Sequence, residues 1–309
     1  MPTFKVTVAY DGTDYVGWQR QATGTSIQGV IEEALLAFGD GAVAVAGAGR
    51  TDAGVHALGQ VASFALQRDL PCDALVRALN ARLPAEIRVL SAAHVPASFH
   101  ARFDARTKTY RYRIWNGDVM PPFERRYALH LPGRLDVEAM RRAARLIEGE
   151  HDFAAFQSGG SEVATSVRKV SVSRIAECGL RSDCGLGSDG LRSDCGLGED
   201  EATIPNNSAF RNPQSRNESA LRTPHSALLV YDVTGSGFLR HMVRSIVGTL
   251  VEIGRGRQPV DWLTDVLESR SRASAGQTAP ALGLFLARVS YGDADHEEGA
   301  RGAGAIGFP

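Results

Sequence analysis

No apolar run in this chain approaches the roughly 18 residues that a helix needs to cross a bilayer, so no membrane-spanning helix is expected. Nor does the N-terminus carry a basic region followed by an apolar one. Met1-Pro2-Thr3-Phe4-Lys5 leads straight into a strand pattern, with no sign of a secretory signal. Cysteine is scarce: the four are Cys72, Cys178, Cys184 and Cys195, and none has CxxC spacing. That argues against a disulfide framework or a zinc site and makes the cytoplasm the expected compartment. Net charge is almost absent, at −1, which argues against a strongly basic nucleic-acid binder. The distribution of charge says more than its sum. Residues 178–222 hold five Arg against seven acidic residues, and residues 292–309 hold one against four. Without these two stretches, 28 basic residues face 24 acidic ones, a mildly basic remainder that is compatible with RNA.

What is present is a globular composition, 43% hydrophobic and 22% charged, over 309 residues, enough for about two domains. Period-two alternation and β-rich composition predict strands over Thr3–Tyr10, Val43–Gly47, Val61–Leu66, Glu86–Val95, Arg168–Ala176, Ser226–Val233 and Leu282–Tyr291. Helical spacing predicts helices over Ser26–Ala37, Cys72–Arg82, Asp136–Glu148, Phe238–Gly254 and Asp261–Arg270. Arg240, His241 and Arg244 then crowd the start of the fourth helix, where the dipole is already positive. A nearby anion would explain them, and so would plain solvation of long side chains.

The organising stretch is Gly47-Ala48-Gly49-Arg50-Thr51-Asp52-Ala53-Gly54-Val55-His56-Ala57-Leu58-Gly59-Gln60. Its glycines let a backbone turn tightly and approach a ligand. Asp52, two residues from Arg50, is expected to stay charged, and an oriented carboxylate can act as nucleophile or base. An ordinary turn, with Asp52 bonding its own backbone, is the other reading. A second informative stretch is Ser98–Trp115, where aromatics interleave with four arginines and a lysine. From Thr107 on, Thr109, Arg111, Arg113 and Trp115 share one face, and Lys108, Tyr110, Tyr112 and Ile114 the other. Such a strand can hold phosphates and stack an unpaired base, or it can be a solvated face with aromatics in the core. Tyr15–Gln21, with Tyr15 and Trp18, can stack on a base or plug a core edge. His151 and Asp152 read as catalytic residues or as a hydrogen-bonded structural pair.

Two pieces read as additions. Gly179-Leu180-Arg181-Ser182-Asp183-Cys184-Gly185-Leu186-Gly187 recurs unchanged as Gly190–Gly198, and the polar composition through Arg222 predicts a disordered insertion, assigned to residues 178–225. The acidic, Gly-rich residues 292–309 are expected to form a loose tail.

Taken together, the chain resembles the tRNA pseudouridine synthase A family. The resemblance is carried by Tyr10-Asp11-Gly12-Thr13 with Gly17-Trp18-Gln19-Arg20-Gln21, and by Gly49-Arg50-Thr51-Asp52-Ala53-Gly54-Val55-His56-Ala57. It continues through Phe99–Arg106 with Lys108–Tyr112, His151-Asp152-Phe153 with Ala155-Phe156, and Gly237-Phe238-Leu239 with His241-Met242-Val243-Arg244 and Ile246-Val247-Gly248. The order is the family's, and the matches cover about 1–177 and 226–291. Residues 178–222 depart from it, because the family usually has a short connection there.

This resemblance implies an α+β (mixed α/β) fold with two domains, 1–105 and 106–291, sharing a mixed, mainly antiparallel sheet with flanking helices and a central cleft. It implies a homodimer that binds the anticodon arm of tRNA and isomerises uridine to pseudouridine at positions 38, 39 and 40, with no cofactor, metal or membrane. It carries catalysis to Asp52, with Arg50 orienting and ionising it. Tyr110 would stack on the uracil, and Arg244 would pair with Asp52 or a phosphate. Arg102, Arg106, Lys108, Arg111 and Arg240 would hold RNA. Two other classes stand beside this one: a tRNA-binding protein or chaperone that has lost catalysis, and an enzyme of free nucleosides.

Overall fold

The computed structural model describes residues 1–38, 41–159, 165–178 and 227–292. The expected insertion, apart from Cys178, and the expected tail, apart from Gly292, lie outside the described residues.

Strand β1 (Thr3–Tyr10) turns Phe4, Val6, Val8 and Tyr10 into the core, as its alternation requires. Helix α1 (Ile27–Leu36) begins where the Ser26 hydroxyl accepts the Gly29 N–H, satisfying one of the helix's orphan donors. After the two-residue β2 (Ala46–Gly47) comes β3 (His56–Ala65), which pairs antiparallel with β1. Helix α2 (Cys72–Asn80) is too short to persist alone in water. Its fully buried Leu75 and Leu79 tether it, each contributing about 1.5–3 kcal/mol. It lies along β4 (Ile87–Val95), which pairs with the other edge of β1.

The chain then crosses to β5 (Thr107–Asn116), the short β6 (Leu129–His130), α3 (Val137–Arg145), β7 (Gly149–Asp152) and β8 (Val167–Cys178). The rest is β9 (Ala227–Gly235), α4 (Met242–Gly254), α5 (Trp262–Ser269) and β10 (Leu284–Ser290). The strands form one sheet in the order β4-β1-β3-β10-β5-β9-β8-β7, with β2 on β3 and β6 on β5. Among the described residues only the β10–β3 and β5–β6 pairings are parallel. This is the mixed, mainly antiparallel sheet with flanking helices expected of the α+β class. Strand β10, last in sequence, lies between β3 and β5, so the carboxyl end of the chain stitches the two halves together.

Four differences from the sequence reading have physical causes. Strand β3 starts at His56, inside the expected loop, because Ala57 pairs with Tyr10 and His56 with Phe285. Residues 149–152, expected to cover a sheet end, form the edge strand β7 on β8. Helix α4 starts at Met242 rather than Phe238, because His241 is left-handed, with φ 61° and ψ 2°. Cys178 is disulfide-bonded, where the spacing of the cysteines argued against a disulfide framework, and Cys72 is free. Cysteine spacing along the chain sets no limit on which sulfurs meet in space.

Candidate active site

Between β2 and β3, residues 48–55 leave the sheet as a loop that its neighbours hold on both flanks. Ala48 N–H donates to Val61 O at 2.7 Å, and Gln60 Nε2 donates to Gly49 O at 2.8 Å. Trp18 N–H donates to Thr51 O at 3.1 Å, Gly54 N–H to Tyr15 O at 3.3 Å, and the buried Tyr10 and Thr51 hydroxyls lie 2.8 Å apart. Gly17 makes the first of these contacts possible. Its φ of +106° suits glycine, and a Cβ there would stand 2.4 Å from the Thr51 carbonyl oxygen. Trp18 itself is buried beside Tyr10, with ring centroids 6.1 Å apart, so it plugs the core edge. Together these contacts fix Asp52 at the top of the loop.

The Asp52 side chain is 29% exposed. One of its oxygens, Oδ2, lies 3.3 Å from Arg244 Nη1, which donates to it, and 3.4 Å from His241 Nε2. Arg244 is held in turn, because its Nε donates to Ala279 O at 2.7 Å and its backbone carbonyl accepts the Ala279 N–H at 3.0 Å. A carboxylate and a guanidinium 192 residues apart in sequence are thus clamped together at the start of α4.

Arg50 stands elsewhere. It is exposed, and among the described residues Asp52 forms its ion pair with Arg244, with the His241 imidazole 3.4 Å away. Of the two pairings expected for Asp52, the structure has the one with Arg244 and not the one with Arg50, since a tight turn need not bring residues two apart face to face.

Tyr110 is buried on β5, edge-on to Phe238 with centroids 5.1 Å apart. Burial pushes its hydroxyl well above the ordinary tyrosine range, with the neighbouring Tyr10 and the Asp52 carboxylate adding to the effect. It is a protonated phenol at neutral pH, near enough to Asp52 to feel its charge.

The Tyr110 face of β5 also carries Lys108, whose side chain passes Gly49. Burial, then the charge of Arg102, lowers the Lys108 ammonium below its usual range. Arg111 is on the opposite face, where Nε and Nη2 donate to the two Asp232 oxygens at 2.8 and 3.0 Å. That guanidinium is engaged within the sheet. Arg102 and Arg106 are exposed just before β5, and Arg240 is exposed before α4. His151 and Asp152 serve structure: His151 Nε2 meets Glu148 O at 2.9 Å, and Asp152 accepts the Ala154 N–H and pairs with Arg270. Among the described residues no group of three or more His, Cys, Asp or Glu could hold a metal ion.

The loop that carries this clamped carboxylate lies within a stretch of sequence that matches a known family. The sequence model of the tRNA pseudouridine synthase family matches residues 6–104 and 143–292. This chain belongs to that family. Membership makes it an isomerase. Among its relatives, tRNA pseudouridine synthase A of Syntrophotalea carbinolica is 40% identical over 299 residues, covering 97% of this chain and 100% of the other. That of Moorella thermoacetica is 41% identical over 293 residues, covering 94% and 100%. That of Myxococcus xanthus is 39% identical over 293 residues, covering 95% and 93%.

The residue that sequence reasoning passed over is His241. It was noticed only as one of three basic groups at a helix start. The usable signal was a histidine, which tolerates the left-handed region better than most residues, placed between Gly235-Ser236-Gly237 and an apolar helix.

Proposed function

We propose that this tRNA-modifying isomerase converts uridine to pseudouridine at positions 38, 39 and 40 of the anticodon arm, with Asp52 as the catalytic group. The observation that carries the reading is the Asp52–Arg244 clamp: Arg244 and His241 both meet Oδ2, and the side chain remains 29% exposed. The C1′–N1 bond must break, the uracil must turn, C5 must bond to C1′, and the C5 proton must leave. A carboxylate beside the ribose serves either route to this, by attacking C1′ or by taking the C2′ proton to give a glycal. No water attacks and the base is retained, so a second carboxylate of the glycosidase kind is not required.

The uridine must leave its stack first, at a cost of a few kcal/mol. Phosphate contacts from Arg102, Arg106, Lys108 and Arg240 would offset that cost, and Arg50, exposed on the same loop as Asp52, would fill the space the base vacates. Tyr110 would bear on the uracil. Arg111 is left out of the RNA surface because Asp232 occupies it. The enzyme would act in the cytoplasm as a homodimer.

The test is tritium release from tRNA transcripts carrying 5-tritiated uridine at one of the three positions at a time. Release from each, abolished by Asp52→Asn with the melting temperature unchanged, supports the reading. Release by the Asp52→Asn variant at the parent rate, or from free uridine but not from tRNA, overturns it, and tRNA binding without release identifies a chaperone.

A further inference from the structure

We propose that His241 is a positioning residue that holds the Asp52 carboxylate in its reactive orientation through Nε2. The proposal rests on the reading of Asp52 as the catalytic group.

Three observations carry it. First, His241 is one of only two non-glycine residues with positive φ among those described, the other being Arg270. Backbone held in that region calls for a reason, and such residues cluster at functional sites. Here the left-handed step ends the turn after Phe238, lets α4 start at Met242 and aims the imidazole at the 48–55 loop. Second, the ring is hydrogen-bonded at one nitrogen and faces the carboxylate with the other. Nδ1 is 2.6 Å from Ser158 Oγ, and Nε2 is 3.4 Å from Asp52 Oδ2. Ser158 is itself fixed, since its N–H donates to Arg240 O at 3.2 Å. Third, His241 and Arg244 converge on the same oxygen, so they restrain the carboxylate's rotation from two directions.

The tautomer follows from the partners. A carboxylate oxygen only accepts, so Nε2 carries the proton and Nδ1 accepts the Ser158 hydroxyl hydrogen. The charged groups facing the ring are Asp52 from the loop, Arg244 from α4, Arg240 from the preceding turn and Arg272 from the 272–274 turn. Burial and then the three arginines, acting against Asp52, make a second proton harder to hold than usual. A neutral ring restrains Asp52 without adding another full positive charge beside it. An imidazolium there would tie up the carboxylate that must act on the ribose.

Two substitutions separate positioning from a structural role, because each keeps one end of the ring's chemistry. In His241→Gln the amide nitrogen reaches the place of Nε2 and can still donate to Asp52. In His241→Asn the shorter amide reaches only the place of Nδ1, keeps the Ser158 contact and suits the left-handed backbone better than histidine does. Single-turnover tritium release and melting curves should be measured for both, with Asp52→Asn alongside.

The expected result is a loss of about 10- to 100-fold in the chemical step for His241→Asn, as misplacement of a reacting group typically gives. Its KM for tRNA should stay within about 2-fold and its melting temperature should be equal or higher. His241→Gln should recover most of the lost rate. Parental rates in His241→Asn, or a glutamine variant no faster than the asparagine one, would overturn the proposal. If Asp52→Asn releases tritium at the parent rate, the reading of Asp52 fails first and takes His241 with it.

Discussion

Gly248 stands in the middle of α4, where alanine would ordinarily be the better helix former by about 1 kcal/mol. Here the sign should reverse. A Cβ on Gly248 would stand 1.6 Å from the Gln277 carbonyl oxygen and 2.8 Å from its carbon, both backbone atoms. Real Cβ atoms essentially never show contacts under 3.0 Å, so helix and segment must part by about 1.4 Å. Bonds hold the segment on both sides of Gln277, from Gly276 N–H to Thr249 Oγ1 and from Ala279 N–H to Arg244 O, each at 3.0 Å. Overpacking of this kind costs about 1–3 kcal/mol, which outweighs the gain in propensity. The same shift would stretch the 2.7 Å bond from Arg244 Nε to Ala279 O beyond hydrogen-bonding range and loosen the guanidinium on Asp52. Gly248→Ala should therefore lower the melting temperature by about 2–10 °C and slow tritium release by about 10-fold, with little change in KM. Thermal unfolding followed by circular dichroism, with the release assay on the folded fraction, checks both. A variant that melts at or above the parent temperature would refute the argument, since only the helix-propensity term would then have operated.

The remaining predictions concern Arg111, with Lys108 as its contrast, and Asp11. Arg111→Met should leave Asp232, a buried carboxylate, with only Arg174 at 4.0 Å, and lower stability by about 1–3 kcal/mol. Its KM for tRNA should change less than 2-fold, whereas Lys108→Ala should raise KM clearly. A weakened KM with an unchanged melting temperature would return Arg111 to the RNA surface. Asp11 gives a pH dependence. Burial works to raise its carboxyl, but the bonds from His56, Thr13 and Tyr127 outweigh burial and leave it well below the usual 3.8. Its folded value is depressed, so its contribution is full above about pH 4 and is lost as pH falls through the folded value. Asp11→Asn should therefore melt lower at pH 7, and the gap to the parent should narrow on acidification below pH 4. A gap that widened in acid would show that the carboxylate does not stabilise the fold.

Much of the fold was legible because its signals are local. The alternation of Thr3–Tyr10 and of Thr107–Asn116 reports one buried face each, and the structure buries Phe4, Val6 and Val8 in the first and Tyr110, Tyr112 and Ile114 in the second. The Ser26 cap marks a helix start by chemistry that any serine in that position can perform. The start of β3 was not legible. His56–Gln60 contains Gly59 and Gln60, which signal a loop in isolation, and only cross-strand pairing with β1 and β10 makes a strand of them.

The candidate site divides along the same line. The glycine-rich run pointed to Asp52, because a loop that must pack its backbone against neighbouring backbone shows this in composition. Composition could not name what holds the carboxylate. Sequence proximity suggested Arg50, two residues away, but the guanidinium on Asp52 belongs to Arg244, and the imidazole beside it sits where a helix was expected to have begun already. A helix that ran unbroken from Phe238 would set His241 and Arg244 side by side on one face, with the direction of both fixed by the helix axis. The left-handed step at His241 frees the imidazole from that axis, and a break in regular structure of this kind has no periodicity to betray it.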